Sequence, residues 1–146
     1  MTAVKAEHFR KLEALYAGAP VNRYFKPTLQ ISEGVAEVII LVQPDFLHAA
    51  HAVHGSVYFK ALDDAAFFAV NSIVEDVLVL TASFTIQFLR PVASGRLLAR
   101  GRVVNASRRL YVADSELFNS DGQLIGRGTG SFMRSEIQLD SSVGYV

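Results

Sequence analysis

The sequence predicts an α+β domain: an antiparallel β-sheet wrapped around a long central helix, with an additional N-terminal helix. Three observations carry that prediction. Residues 55–72 are apolar on nearly every side, the pattern of a buried helix. Beyond them Leu78, Leu80, Ala82, Phe84, Ile86 and Phe88 alternate with Val79, Thr81, Ser83, Thr85 and Gln87, the period-two pattern of a half-buried strand. Three further β-rich runs follow, set apart by turn residues. Four strands in a meander leave one sheet face in need of cover, and the apolar helix is the obvious cover.

Each element has a local justification. Thr2 to Ala17 reads as an amphipathic helix in which Phe9, Leu12, Leu15 and Tyr16 form a stripe, with Lys5, Glu7, Arg10 and Lys11 largely elsewhere. Gly18 and Pro20 end it, so residues 1–20 form the N-terminal helical segment. Thr28 to Gln43 reads as a hairpin turning at Glu33-Gly34, and Pro44 stops its second strand. A loop with His48, His51 and His54 leads into the central helix at Gly55. After the long strand, Pro91 and Ser94-Gly95 break the chain before strands at 96–104, 109–118 and 123–133. The tail, 136–146, carries weak signals and is expected to be loose. No repeat or second domain interrupts the chain, so 1–146 is expected to be one domain. On the last strand Gly126, Gly128 and Gly130 share a face. The missing side chains make room there for close packing or for a ligand.

Composition narrows the function. The chain has 146 residues, with 14 basic against 14 acidic side chains, so no global field attracts nucleic acid or an anionic membrane. Arg108-Arg109 is the one arginine doublet, too little for a nucleic-acid stripe. Cysteine is absent, which removes disulfides, thiolate metal sites and a cysteine nucleophile. The first 18 residues lack the uninterrupted apolar core of a signal peptide, and no apolar run is long enough to cross a bilayer. A soluble, cytoplasmic protein is expected. His48, His51 and His54 stand three residues apart in an irregular loop, which is not a known ligand spacing, so no metal is expected.

The chemistry concentrates between His48 and Ser72. Asp63 and Asp64 interrupt an otherwise apolar helix, and a carboxylate there needs a partner, an interface or a task. Gly55 sits at the helix N-terminus, where a free N–H and the helix dipole suit a developing oxyanion. Asp64 points about 100° away from Asp63 and reads as a partner for Lys60.

His54-Gly55-Ser56 opening the helix, an acid nine residues beyond His54, the strand ending Phe88-Leu89-Arg90-Pro91, and the final strand pair around Asp121-Gly122 and Gly126–Phe132 together resemble the hotdog fold. More narrowly, they are similar to the acyl-CoA thioesterases of the phenylacetate-degradation type, over roughly residues 46–134. The chain departs from that pattern in three places: His48 stands where an amide is common, His51 where a glycine is, and Ser56 replaces a second glycine. The resemblance implies thioester hydrolysis with Asp63 as general base or nucleophile and the Gly55 amide polarising the carbonyl. It further implies Thr81 as the family's hydroxyl on the following strand. His48 is a candidate donor to the thioester oxygen, and His54 is a candidate for fixing the loop or acting directly. Ser56, Phe67, Arg90, Arg108 and Arg109 are candidate substrate contacts, with arginine suited to the phosphates of coenzyme A. Coenzyme A is then part of the substrate, and no separate cofactor is called for. Gly55 and Asp63 lie about 12 Å apart along one helix, too far to serve one carbonyl. Two helices packed antiparallel would bring Gly55 of one chain to Asp63 of another, and the resemblance implies the same sharing in a homodimer or a dimer of dimers. Two other readings remain open: a non-catalytic acyl-CoA-binding or sensing module, and a hotdog hydratase or dehydratase.

Overall fold

The computed structural model describes residues 2–146. Helix α1 spans Ala3–Gly18, and Thr2 caps it by accepting from the Lys5 N–H at 3.1 Å. A short α2 (Asn22–Phe25) leads into the hairpin of β1 (Thr28–Ser32) and β2 (Val35–Leu41), which turns at Gly34 with a positive φ of 73°. Helix α3 spans Gly55–Asn71. Four strands follow: β3 (Val77–Phe88), β4 (Arg96–Ala106), β5 (Leu110–Phe118) and β6 (Leu124–Gln138). No helix among the described residues is long and apolar enough to cross a membrane.

All six strands join one antiparallel sheet in the order β1-β2-β4-β5-β6-β3. This corrects the expected four-strand meander. Only β4, β5 and β6 follow one another in space, and β3 lies at the far edge against β6. The physical reason is twofold. Both sides of β4 are taken by β2 and β5, and the 15 residues of β6 offer the longest partner for the 12 of β3.

The sheet curls around α3. Val57, Ala61, Leu62 and Ala65 are buried against Val38, Ile40, Leu97, Leu117 and Ile125 from the strands, and Ala66 against Val79, Ala113 and Phe132. Contact is closest at Gly101, where an added methyl group would overlap the Ala65 backbone. Leu62 is fully buried, and its truncation to alanine would cost about 2–5 kcal/mol. On the other side Phe9, Leu12 and Tyr16 of α1 pack on Phe68 and Ala69.

Two polar anchors fix the exit of α3. Asn71, fully buried, donates to the carbonyls of Val74 and Val77 at 3.1 Å each and accepts from the Val79 N–H at 2.9 Å. Helix and edge strand are therefore held in one register. His8 Nε2 lies 2.9 Å from the Asn71 carbonyl, and its Nδ1 lies 2.8 Å from the Tyr145 hydroxyl. Since a carbonyl can only accept, Nε2 donates to Asn71 and Nδ1 accepts from Tyr145. The tail is thus docked, against expectation: residues 136–138 extend β6, and Tyr145 reaches back onto α1.

Candidate active site

The loop before α3 is built to start the helix abruptly. His54 has extended backbone, and its Nδ1 accepts from the Ser56 N–H at 3.0 Å, with Ser56 Oγ 2.8 Å away. A histidine here caps the helix as Ser or Asp would. The loop is pinned by His54 N–H to the Phe46 carbonyl at 2.9 Å and Val53 N–H to the Val92 carbonyl at 2.8 Å. His51, where the related pattern has glycine, has a φ of 66°, in the left-handed region that costs a side-chain-bearing residue about 1–2 kcal/mol. Among the described residues the Gly55 N–H finds no acceptor. Gly55 lines a cavity of about 430 Å³ together with His48, Tyr58, Phe88, Leu89 and Arg90. An added Cβ at Gly55 would stand 2.9 Å from the Phe88 ring, so a larger residue would crowd the mouth of that cavity.

Two turns along α3 the paired acids part ways. Asp64 turns towards α1: it accepts from the Tyr16 hydroxyl at 2.5 Å and pairs with Lys60 at 2.8 Å, both charged side chains being about 85% buried (14% and 15% exposed). Asp63 turns towards β3, where Thr81 Oγ1 donates to its Oδ1 at 2.8 Å. Among the described residues Asp63 has no ion-pair partner; the nearby lysine belongs to Asp64. Burial pushes the Asp63 carboxyl up to about 6, opposed by the Thr81 hydrogen bond, raised further by the Asp64 charge and lowered by Lys60. Burial also raises the Asp64 carboxyl, against Lys60 and Tyr16.

Thr81 reaches Asp63 because β3 is not regular. The pairing with β6 slips between Thr81 and Ser83, and a β-bulge there lets Ala82 drop out of the alternation. Before the bulge Val77, Val79 and Thr81 face the helix; after it Phe84 and Ile86 do. Thr81 therefore does not share a face with Ser83 and Thr85, as unbroken alternation had implied. Ser83 instead bonds Ser131 on the exposed side at 2.6 Å.

The expected site residues fall into separate groups. Asp63 and Thr81 meet. Gly55, His48 and Arg90 meet around the helix-start cavity, which Asp63 does not line. His54 and Ser56 turn away from that cavity into another concavity with Tyr24 and Phe46, so the structure gives both a capping geometry. His48 Nδ1 accepts from the Ala50 N–H at 3.0 Å. Phe67 is half-buried, edge-on to Phe68 and Phe132. Arg108 and Arg109 line a third concavity. The glycine slot is occupied from within: added side chains at Gly128 and Gly130 would strike the Phe84 ring, and one at Gly126 would meet Tyr58 at 3.2 Å. Close packing, not a ligand, accounts for those glycines. Sequence reasoning missed Tyr16, whose bond to Asp64 joins residues 48 apart and leaves no local signal. It also missed Phe88 as a wall of the helix-start cavity, although its place at the end of the alternating strand was visible.

A long helix wrapped by this sheet, with a carboxylate halfway along it and an unpaired amide at its start, defines a hotdog-fold protein of the thioesterase kind. Residues 50–125 match the family model described as Thioesterase superfamily, over half of the chain, and the chain belongs to that family. It is 28% identical over 107 residues to the acyl-coenzyme A thioesterase PaaI of Escherichia coli, covering 73% of this chain and 75% of that one. It is 31% identical over 94 residues to the "Putative esterase SSO1253" of Saccharolobus solfataricus, covering 61% of this chain and 63% of that protein, less than two thirds of its length. The structure of the E. coli PaaI protein from the phenylacetic acid degradation operon superposes with a TM-score of 0.84 over 93% of this chain and 99% of that chain, at 23% identity.

Proposed function

We propose that the protein is an acyl-CoA thioesterase, converting an acyl-CoA and water to a carboxylic acid and free coenzyme A. The observation that carries this reading is the environment of Asp63: a partly buried carboxyl held by one hydroxyl, beside a second acid that takes the available lysine. A carboxylate with no cation of its own and a pKa raised to about 6 suits proton abstraction near neutral pH. The family membership and the acyl-CoA thioesterase named among its relatives support the same substrate class.

In this reading the unpaired Gly55 N–H, with the α3 dipole behind it, receives the thioester oxygen as negative charge develops. Asp63 takes one of two courses. As a general base it removes a proton from water while the water oxygen attacks the carbonyl carbon; the C–S bond then breaks and the sulfur leaves with a proton. As a nucleophile it attacks the carbonyl carbon directly, expels the thiolate and forms an anhydride that water opens. Thr81 orients the carboxylate in either case. His48 and Arg90 line the same cavity as Gly55, placed to hold the thioester end of the substrate. Because Asp63 does not reach that cavity within one chain, the working site takes Gly55 from one copy and Asp63 from another in a homodimer or dimer of dimers. Thiol release from a panel of short, long and aromatic acyl-CoAs tests the proposal. Release by the wild type that Asp63→Asn abolishes supports it, and absence of release across the whole panel overturns it.

A further inference from the structure

One cation stands within reach of both acids of α3. At about 100° per residue, Lys60 sits between them on the helix surface, about 40° from Asp64 and about 60° from Asp63 on the other side. Spacings of three and four residues both allow an ion pair. The lysine makes only the second: its Nζ lies 2.8 Å from Asp64 Oδ2, and the Tyr16 hydroxyl donates to the same oxygen at 2.5 Å. The ammonium also stands over two rings, 5.1 Å from the centroid of Tyr16 on α1 and 5.4 Å from that of Phe25 on α2. Each ring face attracts it. All three contacts draw Lys60 to the α1 side of α3, while Asp63 turns the other way to Thr81. After burial, Lys60 is the strongest influence on the Asp64 carboxyl, yet it is the weakest of those on Asp63. The charged and titratable groups acting on the two acids are the acids themselves, Lys60 from α3 and Tyr16 from α1; β3 contributes the uncharged Thr81.

We propose that Asp64 is a positioning residue: with Tyr16 and Phe25 it holds the Lys60 ammonium on the α1 side of α3, so that the Asp63 carboxylate meets the substrate without a cation of its own. Docking α1 does not by itself call for an acid at this position. The Tyr16 hydroxyl needs only an acceptor, which a neutral amide would supply; the charge of Asp64 is what retains the lysine. Without that charge the ammonium would be left largely buried and unpaired, a costly state. Asp63 is the other acid within one turn of it on α3. Pairing there would make the Asp63 carboxylate a poorer base and a poorer nucleophile, and would set an ammonium beside the reacting group. The consequence for catalysis rests on the thioesterase reading; the hold on Lys60 does not.

The test removes the charge of Asp64 with and without the lysine. Asp64→Asn keeps the shape and the acceptor for Tyr16, and Asp64→Ser replaces it should the first variant fail to fold. In thiol-release assays the plateau of kcat/KM should fall about tenfold, and its acid limb should move to lower pH by about 1–3 units, the effect of a cation arriving beside Asp63. The double variant Lys60→Met/Asp64→Asn has no lysine to release, so activity and limb should return close to wild type. Asp64→Glu, which keeps the charge, should stay close to wild type as well. Tyr16→Phe leaves Asp64 on Lys60 and loosens only the α1 contact; its limb should not move. A crystal structure of Asp64→Asn should show Lys60 Nζ within about 4 Å of the Asp63 carboxylate. A lysine still over the Tyr16 ring, a double variant as impaired as Asp64→Asn, or a Tyr16→Phe limb that moves as far would overturn the inference. Wild type that releases no thiol from any acyl-CoA overturns the catalytic reading alone. The hold on Lys60 is then decided by NMR titration of the Asp63 carboxyl, which should drop in Asp64→Asn and recover in the double variant; an unchanged titration overturns it.

Discussion

Thr81 Oγ1 donates to Asp63 Oδ1 across 2.8 Å, from the edge strand to the middle of the central helix, and a single bulge at Ala82 makes the contact possible. A hydrogen bond to an ionised carboxylate favours the charged form, so the hydroxyl holds the Asp63 pKa below what burial alone would set. Thr81→Val keeps the shape and removes the donor. The acid limb of its kcat/KM profile should move to higher pH by about one unit, consistent with about 1.5 kcal/mol for a hydrogen bond to a charged group. Thr81→Ser should return the limb to the wild-type position. A Thr81→Val profile that overlays the wild type would show that the contact is idle.

Asp63 itself links activity to stability. A carboxylate must be ionised to act as base or nucleophile, so activity should fall as pH drops through about 6. For stability the sign is the opposite. Because folding raises this pKa, the protonated form is the better accommodated one. Its contribution is intact below about 4, where folded and unfolded chains both hold the proton, and is lost as pH rises to about 6. Asp63→Asn should therefore lose activity by about 10²-fold or more, yet unfold about 1–3 kcal/mol harder than wild type at pH 7. That gain should shrink towards pH 4. Chemical denaturation at the two pH values, beside a thiol-release assay, checks both halves.

His51 carries the cost of a loop shape suited to glycine. His51→Gly should raise stability by about 0.5–1 kcal/mol, the relief of a left-handed residue less the added freedom of the unfolded chain. His51→Val, β-branched at the same φ, should lower it by more than that. Thermal unfolding midpoints read both changes, and a His51→Gly midpoint below wild type would mean that the imidazole makes a compensating contact.

The elements were legible because each has a local cause. Gly18 and Pro20, Glu33-Gly34, Pro44 and Pro91 punctuate the chain at the observed boundaries, and the apolar circumference of α3 marked it as the wrapped helix. Strand order was not legible, because whether β3 neighbours β4 or β6 depends on which edges are already taken, and no residue of β3 states that. The bulge was hidden for a related reason. Six apolar positions from Leu78 to Phe88 keep strict period two through Ala82, and only the pairing with Phe132 and Ser131 exposes the slip. Between the two acids, the resemblance pointed to Asp63 over Asp64, while what separates their surroundings in the structure is tertiary. Tyr16 and Lys60 claim Asp64, and Tyr16 arrives from a helix 48 residues away.

The separation of Gly55 from Asp63 makes the sharing of sites open to a complementation test. Asp63 does not line the cavity that Gly55 lines. If each site takes its amide from one copy and its carboxylate from another, Asp63→Asn and Gly55→Val should both be inactive alone, the second because its side chain crowds Phe88. Mixed, reassorted subunits behave differently. A heterodimer holds one site with both residues intact and one with neither. Random reassortment makes half the dimers mixed, so the mixture should recover about one quarter of wild-type activity per chain. Dilution below the dimer dissociation point should then abolish that activity along with the wild type's. Recovery is read after dissociation and reassembly, with size-exclusion chromatography confirming that both variants dimerise. A mixture of dimerising variants that stays dead, or wild-type activity per chain that is unchanged on dilution into monomer, would place the whole site within one chain.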